Sequence, residues 1–129
     1  KEFDESVFKR ATYVAEEENR TLMASKAIQN GNLEQFGKLM YDSHQGLSEK
    51  YEVSCEELDF LVNYSKNHDA VIGSRMMGGG FGGCTINLIH RDFVDSYITN
   101  LCNDYENQFK IKLSPIKVSI SDGVSLLKP

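Results

Sequence analysis

Five of the six residues from Gly78 to Gly83 are glycine, the exception being Phe81, and this cluster is where residue type and spacing could do chemistry. Glycine has the most backbone freedom to lose on ordering, so a dense run inside a folded domain needs a reason. One reason is a tight turn with positive φ at several positions. The other is close approach of a ligand, with bare N–H groups converging on an anion such as a phosphate. The residues alone leave both open. Gly78, Gly80 and Gly83 also satisfy the G-x-G-x-x-G spacing, but a dinucleotide-binding loop must open a helix, and Cys84 to Ile89 reads as a strand. A Walker A loop is excluded as well, because no Gly-Lys-Ser/Thr follows the glycines.

Other side chains with chemical potential do not gather in the sequence. Cys55, Cys84 and Cys102 are widely spaced and form no C-x-x-C pair, which suggests neither a disulfide framework nor a zinc site and fits reduced thiols in the cytoplasm. His44, His68 and His90 make no H-x-x-x-H pattern, so no metal site and no catalytic residue is inferred. Glu16, Glu17 and Glu18 are expected on a solvated face. A net charge of −5 lacks the basic excess that nucleic-acid binding uses. No hydrophobic run approaches bilayer length, and no membrane partner is expected.

The elements that must hold the glycine cluster follow from periodicity. Phe3, Val7, Ala11, Val14, Leu22 and Ala27 recur mostly at steps of three or four from about Glu2 to Asn30, the pattern of a long amphipathic helix. Gly31 suits its C-terminal cap, and Asn32 with Gln35 resembles the opening of a second helix. That helix runs to about Lys50, with Leu33, Phe36, Met40, His44 and Leu47 on one stripe and His44 as a packed, hydrogen-bonded residue. Ser54 and Glu57 form a capping box for a third helix holding Leu58, Leu61 and Val62, which ends near Asn67 to Asp69. Val71-Ile72 and Cys84 to Ile89 read as strands around the glycines. A fourth helix, about Asp92 to Phe109, carries Phe93, Tyr97, Leu101, Tyr105 and Phe109 as a core stripe. Pro115 then opens a strand in which Ile116, Val118 and Ile120 alternate with Lys117, Ser119 and Ser121. Asp122-Gly123 turns the chain, and Val124 to Leu127 adds a little more strand.

The order α-α-α-β-loop-β-α-β defines an α+β domain over residues 1–129. Its second half follows a ferredoxin-like split β-α-β layout whose first strand is missing, preceded by an N-terminal helical layer. The missing strand and the start at Lys1 without methionine suggest a fragment of a longer protein.

Gly73-Ser74-Arg75-Met76 followed by Gly78 to Thr85 resembles the third motif of galactokinases, members of the GHMP small-molecule kinase superfamily. Upstream, Phe36 to Met40, Ser43-His44, Tyr51 to Cys55 and Glu57-Leu58-Asp59 are similar to the run before that motif. Val14, Glu17 and Arg20 fall where that region's first helix usually carries the same types. The likeness covers nearly the whole chain. Met77, Gly46 and Glu56 depart from the family's usual Thr, Ser and Pro, and Met77 removes a hydroxyl beside the loop.

The resemblance implies a GHMP kinase C-terminal domain cut from a two-domain enzyme that moves the γ-phosphoryl group of ATP to the anomeric hydroxyl of galactose, with Mg²⁺. Gly78, Gly79, Gly80, Phe81, Gly82 and Gly83 would form the loop at the phosphates. The implied partners are galactose, ATP and the protein's own N-terminal domain. The sugar-binding signature, catalytic Asp and Mg²⁺ ligands of the family match no residue here, so the fragment alone is expected to be inactive. A non-catalytic galactose sensor and an N-acetylgalactosamine kinase are the alternatives.

Overall fold

In a computed structural model, residues 4–123 and 126 are described. Four helices and a two-stranded antiparallel sheet form an α+β domain, in the order α1 (Glu5–Gln29), α2 (Leu33–Glu49), α3 (Glu56–Lys66), β1 (Val71–Met77), β2 (Cys84–Ile89) and α4 (Val94–Phe109), with a 3-10 turn at Arg91–Phe93. None of the described helices is long and apolar enough to cross a membrane.

Local signals set the helix ends. Asp4 caps α1 by accepting from the Ser6 N–H, and Gly31 leaves it at φ +68°. Asn32 caps α2, accepting from the Gln35 N–H at 3.0 Å. The expected capping box on α3 does not form. Cys55 occupies the cap position without a side-chain bond, and Ser54 instead donates to Asp59 Oδ1 at 2.6 Å. A carboxylate fixed by several donors holds Ser54 better than an exposed helix N–H would.

The main core lies between α3, α4 and the sheet. Leu61, Val71, Tyr97, Leu101 and Tyr105 are buried there, with Phe60, Tyr64, Ile89 and Phe109 packed around them. Three of the five aromatic or apolar residues of the expected α4 stripe thus reach the interior, while Phe93 is exposed. The Tyr97 hydroxyl meets Ser65 Oγ at 2.6 Å, so this deep phenol keeps a hydrogen-bond partner.

Helix α2 closes the outer edge of β1. The register steps over Ile72 between Val71↔Ile89 and Gly73↔Leu88, and the Ile72 carbonyl faces Gly37. A Cβ on Gly37 would stand 1.8 Å from that oxygen, and one on Gly73 would stand 2.5 Å from the Gly37 Cα. Glycine in mid-helix costs helix stability; here it lets helix and strand backbones touch.

Further expectations fail. Val7, Val14 and Leu22 on the apolar stripe of α1 are exposed, whereas Tyr13 and Ala27 are buried. The side of α1 that meets α2 is largely polar: Glu16 accepts from Lys50 Nζ at 2.7 Å, and Glu17 pairs with Arg20 and Arg75 and accepts from Ser43. Glu16 and Glu17 are therefore interhelix anchors, and only Glu18 of the three is exposed. The strand expected from Pro115 to Ser121 is also absent among the described residues. Ile116, Val118 and Ile120 are exposed. Alternation marks a chain able to pair, but a strand forms only where a partner edge lies within its reach. No turn is assigned at Asp122-Gly123. Val124 to Leu127 lies outside the described residues except for Leu126, which is exposed.

Candidate functional site

Gly78 to Gly83 join β1 to β2, with Met77 opposite Cys84 at the base of the arch. This is the strand-to-strand corner expected from the flanking apolar runs. Gly78, Gly80, Gly82 and Gly83 have φ of +89°, +85°, +125° and +95°, and Phe81 joins them at +58°. Four of the glycines thus have a local reason, since an L side chain resists this region.

The surroundings divide the glycines more finely. A Cβ on Gly80 would lie 2.1 Å from the Val53 carbonyl oxygen, and the same oxygen accepts from the Phe81 N–H at 2.7 Å. Gly80 is therefore needed where the arch rests on the α2–α3 connection. Gly79 is different. Its φ is outside the left-handed region, and a Cβ there would meet no atom within 4 Å. Nothing within the described chain requires glycine at that position. Gly78 and Gly82 also face open space. The φ of Gly78 and Gly80 is positive and that of Gly79 is not, an alternation that anion-binding backbone nests share.

The strand feeding the arch is pinned from behind by His44. The Met76 N–H donates to His44 Nδ1 at 3.2 Å, which requires Nδ1 to be unprotonated. His44 Nε2 then carries the proton and donates to Asp59 Oδ1 at 3.1 Å. Asp59 also accepts from Ser54 and, at 3.0 Å, from Ser48. Burial pushes the His44 pKa down against the opposing pull of Asp59, with Arg75 and Lys66 adding to the depression. The imidazole is thus held neutral, as the Met76 bond demands. Beside it, Arg75 donates to the Met76 carbonyl at 3.1 Å and reaches Glu17 at 3.3 Å. One network ties α1, α2 and α3 to the residue two before the arch.

His44 was legible as a packed histidine, but its place behind the arch was not. Asp59 and Val53 were flagged only by family likeness, while Ser54 was also read as a helix cap and Glu17 as part of a solvated face. Chemistry-bearing side chains do not converge on the arch: among the described residues no group of three or more His, Cys, Asp or Glu could hold a metal. Cys55, Cys84 and Cys102 are free, and Cys84 is exposed at the foot of the arch. Two surface hollows, one beside His68 and His90 and one beside Glu16 and Lys50, are lined without any arch residue.

The family described as GHMP kinases C terminal matches residues 24–107, and the chain belongs to that family. Within it, the chain is similar to galactokinases. It is 41% identical over 116 residues to the galactokinase of Thermotoga neapolitana, covering 90% of this chain and 33% of the relative. To the galactokinase of Clostridium beijerinckii it is 45% identical over 115 residues, covering 89% of this chain and 30% of the relative. The fold is similar to that of the Lactococcus lactis galactokinase in a crystal structure with galactose (TM-score 0.81, 40% identity, 84% of this chain and 28% of that one). The L. major mevalonate kinase in a crystal structure with R-mevalonate is more distant (TM-score 0.57, 28% identity, 64% of this chain and 25% of that one). The chain spans about a third of the length of the galactokinases it matches.

Proposed function

We propose that this polypeptide is the C-terminal portion of a galactokinase, in which the arch from Gly78 to Gly83 forms the wall of the active-site cleft at the phosphates of ATP. The observation that carries this reading is Gly79. A glycine with ordinary φ and open space around it is explained by a ligand that comes against its backbone. Identities near 40% to galactokinases support galactose as the acceptor sugar over N-acetylgalactosamine and support an enzyme over a sensor.

In this reading the anomeric oxygen of galactose attacks the γ-phosphorus, the bond to the β-phosphate oxygen breaks, and ADP leaves. The arch contributes N–H groups aimed at phosphate oxygens and held in place before the substrate arrives. His44, Arg75 and Val53 keep the strand and arch from shifting. The base that takes the sugar proton lies outside this chain. Mg²⁺ would neutralise charge on the phosphates, and because the family's Mg²⁺ ligands match no residue of this chain, the N-terminal domain that completes the cleft would supply them. Free cysteines support a cytoplasmic setting.

Two assays test the reading. Full-length protein should form galactose 1-phosphate from galactose and ATP, with much weaker turnover of N-acetylgalactosamine and mevalonate. The 129-residue chain should give none. Turnover by that chain alone would show that the base and metal ligands lie inside it.

A further inference from the structure

Among the described residues, three that are not glycine adopt left-handed backbone: Glu52 (φ 60°), Phe81 (φ 58°) and Lys110 (φ 59°). Lys110 is explained by its position, since it ends α4 with its N–H on the Glu106 carbonyl. The other two flank a single contact. The Phe81 N–H donates to the Val53 carbonyl, and Glu52 directly precedes Val53. Backbone strain of this kind survives only where neighbours over-determine it, and it gathers at functional sites.

Neighbours do over-determine this joint. The Val53 N–H is tied to the Leu47 carbonyl at 3.0 Å, Glu52 pairs with Arg10 at 3.2 Å, and Gly80 lies against the same Val53 oxygen. The joint fixes the Phe81 backbone firmly and sends its ring outward. That ring is 77% exposed, more than any other aromatic side chain among the described residues. A bulky residue in a conformation suited to glycine, amid glycines, with its ring unburied, gains nothing for this domain's own stability.

We infer that Phe81 is a shielding residue for phosphoryl transfer. Its ring covers the γ-phosphoryl group held at neighbouring Gly79 and excludes water that would compete with the sugar hydroxyl. The inference rests on the kinase reading above and deepens it. The competing reaction is defined: the oxygen of water attacks the γ-phosphorus, the same bond to the β-phosphate oxygen breaks, and ADP and inorganic phosphate form instead of ADP and sugar phosphate. An apolar ring suits the task because it offers water no hydrogen bond, and water exclusion is a general demand on such sites.

The test uses the full-length protein with ATP, Mg²⁺ and galactose, and measures inorganic phosphate and galactose 1-phosphate separately. Phe81→Gly relieves the backbone strain, so its melting temperature should equal or exceed that of the parent. Its ratio of inorganic phosphate to sugar phosphate should rise by about tenfold or more, with kcat for transfer reduced. Phe81→Leu should restore most of the coupling, because apolar bulk is what matters. A ratio for Phe81→Gly within about twofold of the parent overturns the shielding role, as does a lower melting temperature without phosphate release, which would assign the ring to packing between domains. If the parent itself makes no sugar phosphate, the kinase reading fails, and Phe81 is then judged by fluorine NMR of 4-fluorophenylalanine placed at position 81. A shift on adding ATP keeps the ring at a nucleotide phosphate, and an unmoved resonance removes it.

Discussion

Gly79→Ala and Gly80→Ala should separate the two reasons for glycine within one arch. At Gly80 the new methyl group would lie 2.1 Å from the Val53 oxygen, a distance no real contact tolerates, and φ of +85° costs an L residue roughly 1–2 kcal/mol. Relief requires the arch to lift off Val53, which gives up the 2.7 Å Phe81 bond at a net cost of about 0.5–1.5 kcal/mol. The sum, about 1.5–3.5 kcal/mol, is an upper bound, because a surface arch can detach without unfolding the core. At Gly79 neither term exists. Alanine there should be neutral or stabilise by about 0.4–1 kcal/mol through the lost freedom of the unfolded chain. If a phosphate comes against Gly79, however, the methyl group displaces it from a charge-assisted N–H bond worth about 1.5–3 kcal/mol, roughly 10- to 150-fold in affinity. The assay is thermal unfolding of the full-length variants together with KM for ATP and kcat. Gly80→Ala should lower both stability and activity; Gly79→Ala should impair ATP use at unchanged or raised melting temperature. A Gly79→Ala enzyme with KM and kcat within about twofold of the parent would refute the reasoning, since one charge-assisted bond is worth more than that.

Two further predictions follow from what pins the arch. His44→Ala leaves the Met76 N–H buried without its acceptor and should cost about 2–4 kcal/mol from the orphaned group and lost packing, read as a shift in urea midpoint. The parent should lose stability as pH falls below about 6.5, the unfolded histidine value, because burial depresses the folded pKa and the unfolded chain then binds the extra proton; the loss levels off once pH passes below the folded value. His44→Ala should lack this component below about pH 6.5, and an unchanged slope would assign it to another group. Gly37→Ala adds helix propensity of about 1 kcal/mol, yet its methyl would enter the Ile72 carbonyl at 1.8 Å. Forcing α2 off β1 should cost about 3 kcal/mol, so a higher melting temperature for this variant would contradict the packing described.

Much of the architecture was legible because it depends on near neighbours. The spacing of Tyr97, Leu101 and Tyr105 specifies a helix and its buried face together, since residues four apart share a face whatever lies beyond. Asn32 and Gln35 cap α2 within a single turn. The glycine cluster, with apolar runs on both sides, reads as an arch between strands for the same local reason. Its family likeness could be read directly, because the motif is contiguous.

Tertiary structure alone decided what depends on residues far apart in the chain. Glu17 looks like part of a solvated acidic run until Ser43 and Arg75 arrive from α2 and β1. Ser54 looks like a helix cap until Asp59, held by His44 and Ser48 from α2, takes its hydroxyl instead. Ile116, Val118 and Ile120 carry a strand's alternation, but pairing needs an edge, and periodicity cannot supply one. Most of all, the sequence shows five glycines as equals. Only the approach of the Val53 carbonyl to Gly80, and the empty space at Gly79, separates the glycine that the fold needs from the one that it does not.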